Sequence, residues 1–323
     1  MRKQFIFLSF FLPLTFAVLG LWVNTIFWFG FLILVPLIML GYYDINQTKH
    51  AINRIFPIIG HARYLLEEIR PEINQYFIES NHDGKPFSRE QRSIVYQRAK
   101  GVLDTLPFGT QHDVYANGYE WLSHSLDAKH LDPSDMRIMV GSSQCSKPYN
   151  ASILNISAMS YGSLSKTAIE ALSAGAKLGD FAHNTGEGGI SPYHIAGGAD
   201  LIWQIGTGYF GCRTPEGGFC AKQFEEKSQD DQVKMIELKL SQGAKPGHGG
   251  ILPAAKVTKE IAEIRSVPMG EDVLSPPTHK TFDNPIGLMN FIQKLRELSG
   301  GKPVGFKISI GNRSEFIGIC KAI

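Results

Sequence analysis

Residues Ser241–Gly250 read SQGAKPGHGG and follow directly after a strand-like segment, VKMIELKL. The stretch places the Gln242 amide and the Lys245 ammonium in a run of glycines. Glycines let a backbone approach a ligand closely and leave its N–H groups free to donate. The lysine adds a point charge that suits a phosphate or a carboxylate. Taken alone, the stretch is as typical of a surface loop with a solvated lysine as of a ligand site.

Two further glycine-rich stretches indicate a shared binding face. SAMSYGSLS at 157–165 follows the apolar run ASILNI, and NTGEGG at 184–189 follows FAH. Each lies where a short strand is expected to end. In parallel α/β folds, ligands bind outside the carboxyl ends of the strands. Three such loops therefore predict one binding site at a common sheet edge.

The second half of the chain alternates between strand-like and helix-like patterns. We predict strands at 152–158, 180–184, 233–240 and 303–309, helices at 165–178, 253–265 and 285–299, a short helical stretch near 198–205, and a final helix near Ser314. This alternation favours a parallel sheet with right-handed crossovers. A closed barrel needs eight strands, and about four are visible. The sequence therefore predicts an α/β fold of the (β/α)8 TIM-barrel type, incomplete at about its first half, or an open sheet that begins like one.

The N-terminal residues have the composition of membrane helices. Residues 5–41 are almost entirely apolar and carry no charge. A spanning helix takes about 20 residues, so the run predicts a hairpin with spans near 5–23 and 26–42 that turns at Asn24. A cleaved signal peptide is the alternative, although its apolar region takes only about 7–15 residues. Basic residues flank both ends, which predicts an anchor in the cytoplasmic membrane with the rest of the chain in the cytoplasm.

Composition limits the remaining function classes. The chain has 323 residues and a net charge of +2, and no basic stripe suggests nucleic acid. Its four cysteines form no CxxC pair, which argues against a zinc site or a disulfide framework, and we predict no metal site. We predict three segments: a transmembrane hairpin at 1–43, a helical connector or cap at 44–145, and the first part of the barrel at 146–323.

Five motifs in this order carry a family resemblance: SAMSYGSLS, NTGEGG, SQGAKPGHGG, LSPPTHK and VGFKISIG. Together they resemble the FMN-binding synthase domain of glutamate synthase, and more closely its stand-alone, membrane-anchored relatives. The resemblance covers nearly the whole chain. It implies a (β/α)8 barrel that binds FMN and reduces the 2-iminoglutarate formed from 2-oxoglutarate, or a similar 2-oxo acid, and ammonia. The implied electron donor is ferredoxin, a partner reductase or a membrane donor.

The resemblance also implies cofactor contacts. Ala158, Met159 and Ser160 match the family's backbone platform beside the flavin ring. Gln242 and Lys307 match the donors to the pyrimidine side of the flavin, where negative charge develops on reduction. In isolation, the position of Lys307 favours a strand-end lysine whose ammonium reaches solvent.

Substrate contacts are implied in the same way. Lys245 matches a substrate-binding and catalytic lysine, and Arg265 and Gly188 match further substrate contacts; a guanidinium pairs bidentately with a carboxylate. Glu187 lies in the loop that the family places near the substrate. Its implied catalytic role is to hold Lys245 or to direct the imine proton, and the alternative is a glutamate that only solvates the loop.

Departures from the family pattern are also visible. A hairpin stands in place of the family's glutaminase region, so we expect no internal source of ammonia. The family's iron–sulfur motif, C-x5-C-x4-C, is not matched by Cys212 and Cys220, so we expect no cluster and two buried structural thiols. The glycine loops that hold the FMN phosphate are expected in a C-terminal half beyond this sequence. Two hypotheses therefore compete with a flavin enzyme: a truncated barrel without independent catalysis, and a non-flavin barrel that binds a phosphate ester.

Overall fold

A computed structural model describes residues 1–102, 110, 112–141, 143–244 and 246–322. The chain forms two compact units, Met1–His124 and Ser125–Ile323.

The first unit begins with two apolar helical segments. Helix α1 covers Arg2–Trp22, and a 3-10 helix at Thr25–Gly30 runs into helix α2, Phe31–Asn46. By length and composition alone, both segments could cross a membrane. The Asn24 side chain accepts a hydrogen bond from the Ile26 N–H at 2.8 Å and caps the second segment. The break falls at the predicted turn, and both segments are longer than the predicted spans.

Small and aromatic side chains bring α1 and α2 together. The Phe5 ring meets the Tyr42 ring edge-on at 5.5 Å between centroids, and the Tyr42 hydroxyl lies 2.9 Å from Ser9 Oγ. A Cβ at Gly41 would lie 2.2 Å from the Phe5 ring, so this contact requires glycine. The unit continues with four further helices: α3 (Ala51–Ile55), α4 (Ile59–Glu68), α5 (Arg70–Ile73) and α6 (Arg89–Ala99).

The second unit is built on a parallel sheet. Its strands are β1 (Arg137–Val140), β2 (Tyr149–Ser152), β3 (His183–Asn184), β4 (Leu201–Ile205), β5 (Val233–Lys239), β6 (Ile251–Leu252), β7 (Val273–Leu274) and β8 (Val304–Lys307). Its helices are α7 (Lys166–Leu178), α8 (Pro192–Ala196), α9 (Ala221–Ser228), α10 (Lys259–Arg265), α11 (Pro285–Leu298) and α12 (Arg313–Ala322). Among the described residues, β3, β4, β5 and β8 pair in that order and in parallel, whereas β1–β2 and β6–β7 are antiparallel pairs.

Apolar runs explain why β4 and β5 lie at the centre. Strands covered on both faces read as nearly continuous apolar segments, and β4 reads LIWQI. Trp203 is fully buried and stacks on Phe224 of α9 at 5.1 Å between ring centroids. Ile236 and Leu238 of β5 and Leu295 of α11 complete the same core. Gln204 interrupts the apolar run, and its side chain belongs to the site described below.

Two details of the predicted strand pattern are wrong. Residues 198–205, predicted to be partly helical, contain β4, because the apolar and aromatic run pairs along its whole length with β5. The predicted strand at 152–158 is shorter and earlier: β2 pairs with β1, and Ile156 makes only a single bridge to His183. The mixed α/β class with a parallel sheet is confirmed. The incomplete (β/α)8 barrel and the three predicted segment boundaries stay predictions.

His183 on β3 is an uncompensated polar group in this core. Its side chain is fully buried, and neither ring nitrogen has a hydrogen-bond partner in the described part of the chain. Its ring lies 5.2 Å from that of His194. Burial, and secondarily the neighbouring His194, lower the pKa of His183 to about 4. The ring is therefore neutral in the folded state at neutral pH.

We expect the free energy of unfolding to fall as the pH is lowered from 6.5 to about 4, because in this window His183 takes up a proton only in the unfolded chain. One such group contributes at most about 1.4 kcal/mol per pH unit. His183→Leu removes the titrating ring and should flatten this slope, measured by urea unfolding of the detergent-solubilised protein across the window. Equal slopes for the two proteins would contradict the assignment.

Candidate functional site

A cavity of about 440 Å³ lies at the carboxyl ends of the parallel strands of the second unit. Seven of the residues predicted as site residues line it: Ala158, Met159, Ser160, Glu187, Gln242, Arg265 and Lys307. Lys245, predicted as catalytic and substrate-binding, lies outside the described residues. The geometry thus brings the three glycine-rich stretches to one place, as their positions after strands led us to expect.

The turn at Ala158–Ser160 is held by backbone contacts on the β3 side of the cavity. The Met159 N–H donates to the Asn184 carbonyl at 3.1 Å, and the Met159 carbonyl oxygen lies 2.9 Å from Nε2 of His194. Gly186 has a φ of +65°, and a Cβ there would lie 2.8 Å from the Ser160 nitrogen. A glycine is therefore required where the NTGEGG loop passes this turn.

An ion pair joins two of the glycine-rich stretches through Lys239, the last residue of β5. Its ammonium lies 3.1 Å from Glu187 Oε1 and donates to Gln242 Oε1 at 2.8 Å. The side chains of Lys239 and Glu187 are only 12% and 23% exposed, so water screens this pair less than a surface pair. Because the Gln242 oxygen accepts from Lys239, its NH2 group remains to donate into the cavity.

Three polar residues of β4 and β5 at this site were not predicted from the sequence: Gln204, Glu237 and Lys239. The Glu237 carboxylate accepts hydrogen bonds from the Asn184 amide at 2.8 Å and the Gln204 amide at 2.5 Å, which links β3, β4 and β5 below the cavity. Gln204 and Lys239 line the cavity directly. Each of them is a polar residue within an apolar strand, and this pattern could have identified them, because a polar group buried in a sheet needs a hydrogen-bond partner.

His279, in the LSPPTHK motif, fixes the end of β5. Its Nε2 lies 2.9 Å from the Lys239 carbonyl oxygen and its Nδ1 lies 3.0 Å from the Tyr209 hydroxyl. Because a carbonyl only accepts, Nε2 carries the proton and Nδ1 accepts from the tyrosine. Burial lowers the pKa of His279. A neutral imidazole thus orients the strand end from which the Lys239 side chain extends.

Arg265 places a buried guanidinium at the cavity. It donates from Nη2 to the Tyr161 carbonyl at 3.1 Å and lies 5.3 Å from the centre of the Phe210 ring, while Nε has no partner within the described residues. Burial lowers its pKa, and the Glu187 carboxylate partly offsets this effect. Gly188 packs behind it, since a Cβ there would lie 3.1 Å from Nη2. A largely buried guanidinium that lines a cavity suits a bound carboxylate.

Helix α10, which ends at Arg265, is hydrogen-bonded through Glu260 to one glycine-rich loop and to helix α8. The two Glu260 oxygens accept hydrogen bonds from the Tyr161 and Tyr193 hydroxyls, each at 2.6 Å. These bonds lower the pKa of Glu260. The carboxylate therefore connects α10 to the SAMSYGSLS stretch and to α8.

The charge balance of the cavity favours an anion. Lys307 ends β8 beside Lys239 in the parallel register, and both line the cavity with Arg265. Among the described lining residues, these three cations face one carboxylate, Glu187. Fields of this sign raise the local concentration of anionic ligands.

Two further sets of polar residues are not among those that line this cavity. Cys212 is buried and burial raises the pKa of its thiol, as expected for a structural cysteine, whereas Cys220 is half-buried. In the first unit, the ligand atoms of His82, Glu90 and His112 lie within 4.8 Å of one another. Glu90 Oε2 is 2.7 Å from His112 Nε2, so this exposed group is already an ion pair when that histidine is protonated. The predictions of no metal site and no iron–sulfur cluster stay predictions.

Comparison with known proteins addresses the family. The conserved region of glutamate synthase matches residues 110–322, which include all the cavity residues named above. The chain belongs to the glutamate synthase family. The predicted family resemblance is thereby confirmed, while the role of each site residue stays a prediction.

Individual members of the glutamate synthase family match to different extents. The chain is 37% identical over 328 residues to the glutamate synthase large subunit-like protein YerD of Bacillus subtilis, covering 88% of this chain and 62% of that protein. It is 38% identical over 153 residues to the archaeal-type glutamate synthase [NADPH] of Thermotoga maritima and 35% over 154 residues to the archaeal glutamate synthase [NADPH] of Archaeoglobus fulgidus. Each of these two matches covers 47% of this chain and 28% of the relative. The chain thus spans only part of the length of these relatives.

We expect Glu187 and Lys239 to be energetically coupled. Glu187→Gln and Lys239→Met should each destabilise the protein, since each leaves a poorly solvated charge unpaired. The double variant should be more stable than the sum of the two losses predicts, with a coupling energy of about 1–2 kcal/mol. Urea unfolding of the four proteins measures this quantity, and strictly additive losses would show that the pair does not interact.

Proposed function

We propose that the cavity is an FMN site and that the chain is a glutamate synthase-type oxidoreductase. In the proposed reaction, 2-oxoglutarate, or a similar 2-oxo or 2-imino acid, and ammonia give the corresponding amino acid. The observation that carries the proposal is the convergence of a constrained backbone turn, an amide and three cations on one cavity. The parallel sheet, with strands paired in chain order, supports the further proposal that this part of the chain belongs to a (β/α)8 barrel.

The residues present fit a flavin. The Gln242 NH2 group makes no hydrogen bond within the described residues, and the Lys307 side chain lines the same cavity; such donors are suited to the electron-rich pyrimidine side of a flavin. Gly186 lets the NTGEGG loop pack directly against the Ser160 backbone, which holds the turn in place. The Ala158–Ser160 turn would form the platform beside the ring. When bound, reduced FMN supplies the hydride for the reaction.

The same cavity offers contacts for the substrate. In reductive amination, ammonia adds to the carbonyl carbon, water leaves, and the resulting imine accepts a hydride at carbon and a proton at nitrogen. The Arg265 guanidinium, which lines the cavity, would pair with a substrate carboxylate. Glu187, fixed by Lys239, would hold or deliver the proton at its carboxylate oxygen. Lys245 and Gly188 remain proposed substrate contacts on the strength of the family motifs.

The electron donor is proposed by class only. The two archaeal-type relatives carry NADPH in their names, and their matches cover 47% of this chain. The GxGxxG pattern occurs at residues 206–211, directly after β4, but the next helix, α9, begins only at Ala221, so the strand–turn–helix context of a dinucleotide-binding fold is not formed there. We therefore propose that electrons arrive from a separate protein, such as a ferredoxin or a flavoprotein reductase, or from a membrane donor.

We expect the purified protein to bind FMN and to lose affinity when the pyrimidine-side donors are removed. Gln242→Leu and Lys307→Met should each weaken binding about tenfold, which equals about 1.4 kcal/mol. Flavin fluorescence titration measures the affinity. Lys259→Met is the matched control, because Lys259 is a highly exposed lysine of α10, and it should leave the affinity unchanged.

Turnover is then tested on the reduced, FMN-loaded protein under anaerobic conditions. Addition of 2-oxoglutarate and ammonium should reoxidise the flavin and yield glutamate. A protein that binds no FMN at all would overturn the proposed function. One that binds FMN but reacts only with a different 2-oxo acid would correct the substrate.

The apolar hairpin supports a further proposal, that the chain is anchored in the cytoplasmic membrane with its second unit on the cytoplasmic side. Basic residues precede the first span and follow the second, and both spans carry few buried residues.

We expect the full chain to stay with membranes after an alkaline carbonate wash, because two spans of about 20 apolar residues each resist extraction. Immunoblotting of the pellet and the supernatant measures this. Release by carbonate or by high salt alone would contradict the anchor.

A further inference from the structure

His194, on the short helix α8, is a buried histidine with a defined hydrogen-bonding arrangement. Its Nδ1 lies 3.1 Å from the Ser191 backbone nitrogen and 2.7 Å from Ser191 Oγ, and its Nε2 lies 2.9 Å from the Met159 carbonyl oxygen. A backbone N–H only donates and a carbonyl only accepts. Nδ1 is therefore the acceptor, and Nε2 carries the proton and donates to Met159.

We propose that His194 is a positioning residue for the flavin platform, whose Nε2–H holds the Met159 carbonyl and thereby sets the orientation of the Met159–Ser160 peptide. The inference rests on the proposed function, in which the Ala158–Ser160 turn lies beside the flavin. His194 itself lies beneath the turn and acts through the backbone.

The geometry of one peptide unit carries the inference. A peptide group is planar, so fixing its carbonyl oxygen also fixes the direction of the following N–H. The Ser160 N–H donates no hydrogen bond to a described residue. Gly186 faces this nitrogen with no side chain, at a position where a Cβ would lie 2.8 Å away. Ser160 lines the cavity, so the peptide that His194 holds forms part of the cavity wall, and its N–H has no partner among the described residues.

His194 is itself held by hydrogen bonds to its backbone and to its ring. The Ser173 hydroxyl of α7 donates to the His194 carbonyl at 2.6 Å, and Ser191 forms a capping box with the His194 backbone and ring. Burial lowers the pKa of His194 and the bond to Met159 partly offsets this effect. Protonation would also place an Nδ1–H against the Ser191 N–H. A neutral ring with a single tautomer therefore supports the turn.

Two amide substitutions separate the two hydrogen bonds of the ring. His194→Gln places an amide at the position of Nε2 and can keep the bond to Met159. His194→Asn places an amide at the position of Nδ1 and can keep only the contact with Ser191. A merely structural role predicts similar effects for both, whereas the proposed role predicts rescue by glutamine alone.

His183→Leu is the matched control. Its ring lies 5.2 Å from that of His194 and is buried to the same degree, but it makes no hydrogen bond in the described residues. A general disturbance of this part of the core should therefore appear in this variant as well.

Fluorescence titration with FMN, together with the absorbance spectrum of the bound flavin, gives the main readout. We expect His194→Asn to weaken FMN binding about tenfold and to shift the flavin spectrum, and His194→Gln and His183→Leu to stay within about threefold of the unsubstituted protein. Equal losses in both His194 variants, or no loss in His194→Asn, would overturn the inference.

Hydrogen exchange on the flavin-free protein separates this inference from the proposed function. The hydrogen-bonded amides of Met159, Gly162 and Leu164 should exchange faster in His194→Asn than in His194→Gln, with exchange in β4 and β5 unchanged. This result would support the positioning role even if the protein binds no FMN, an outcome that would overturn only the function. If His194→Asn does not fold, imidazole nitrogen shifts of the unsubstituted protein decide: a proton on Nε2 supports the inference, and one on Nδ1 overturns it.

Discussion

The ammonium of Lys239 is the contact on which the candidate site depends. It lies at the end of β5 and holds Glu187 from one glycine-rich loop and Gln242 from another. Loops of this kind lose much conformational entropy on ordering, and a single shared cation offsets the cost for both at once. The pair is also poorly solvated, so that removal of either partner leaves a charge that neither water nor protein neutralises well. The arrangement of the cavity therefore follows from where one strand ends.

A second constraint lies one layer deeper. A parallel sheet covered on both faces has no water to satisfy polar side chains, so each one must find a protein partner. Asn184, Gln204 and Glu237 meet this requirement through one shared carboxylate that spans three strands. The two ring nitrogens of His183 have no hydrogen-bond partner within the described residues, and burial keeps this imidazole neutral at neutral pH. The same strands thus supply the apolar core on one side and a polar floor for the cavity on the other.

Much of the site was predictable because glycine-rich turns carry their signal locally. The stretches at 157–165, 184–189 and 241–250 could be placed at strand ends from sequence, and the described parts of all three meet at one cavity. Lys239 and Gln204 were missed because the direction in which a strand residue points depends on its register with neighbouring strands, which is a tertiary property. Strand β4 was misread for a related reason: five residues are too few for periodicity to decide between helix and strand, and pairing with β5 decided it.

The carboxylate of Glu260 connects three elements of the site mechanically. Each of its oxygens is bound by a tyrosine, one from the stretch that carries the Ala158–Ser160 turn and one from the helix that carries His194. Arg265 is the last residue of α10, the helix that also carries Glu260. Because Glu260 and Arg265 share one helix, loss of the two tyrosine bonds would loosen the hold on the guanidinium and on the elements that carry the Ala158–Ser160 turn and His194 at the same time.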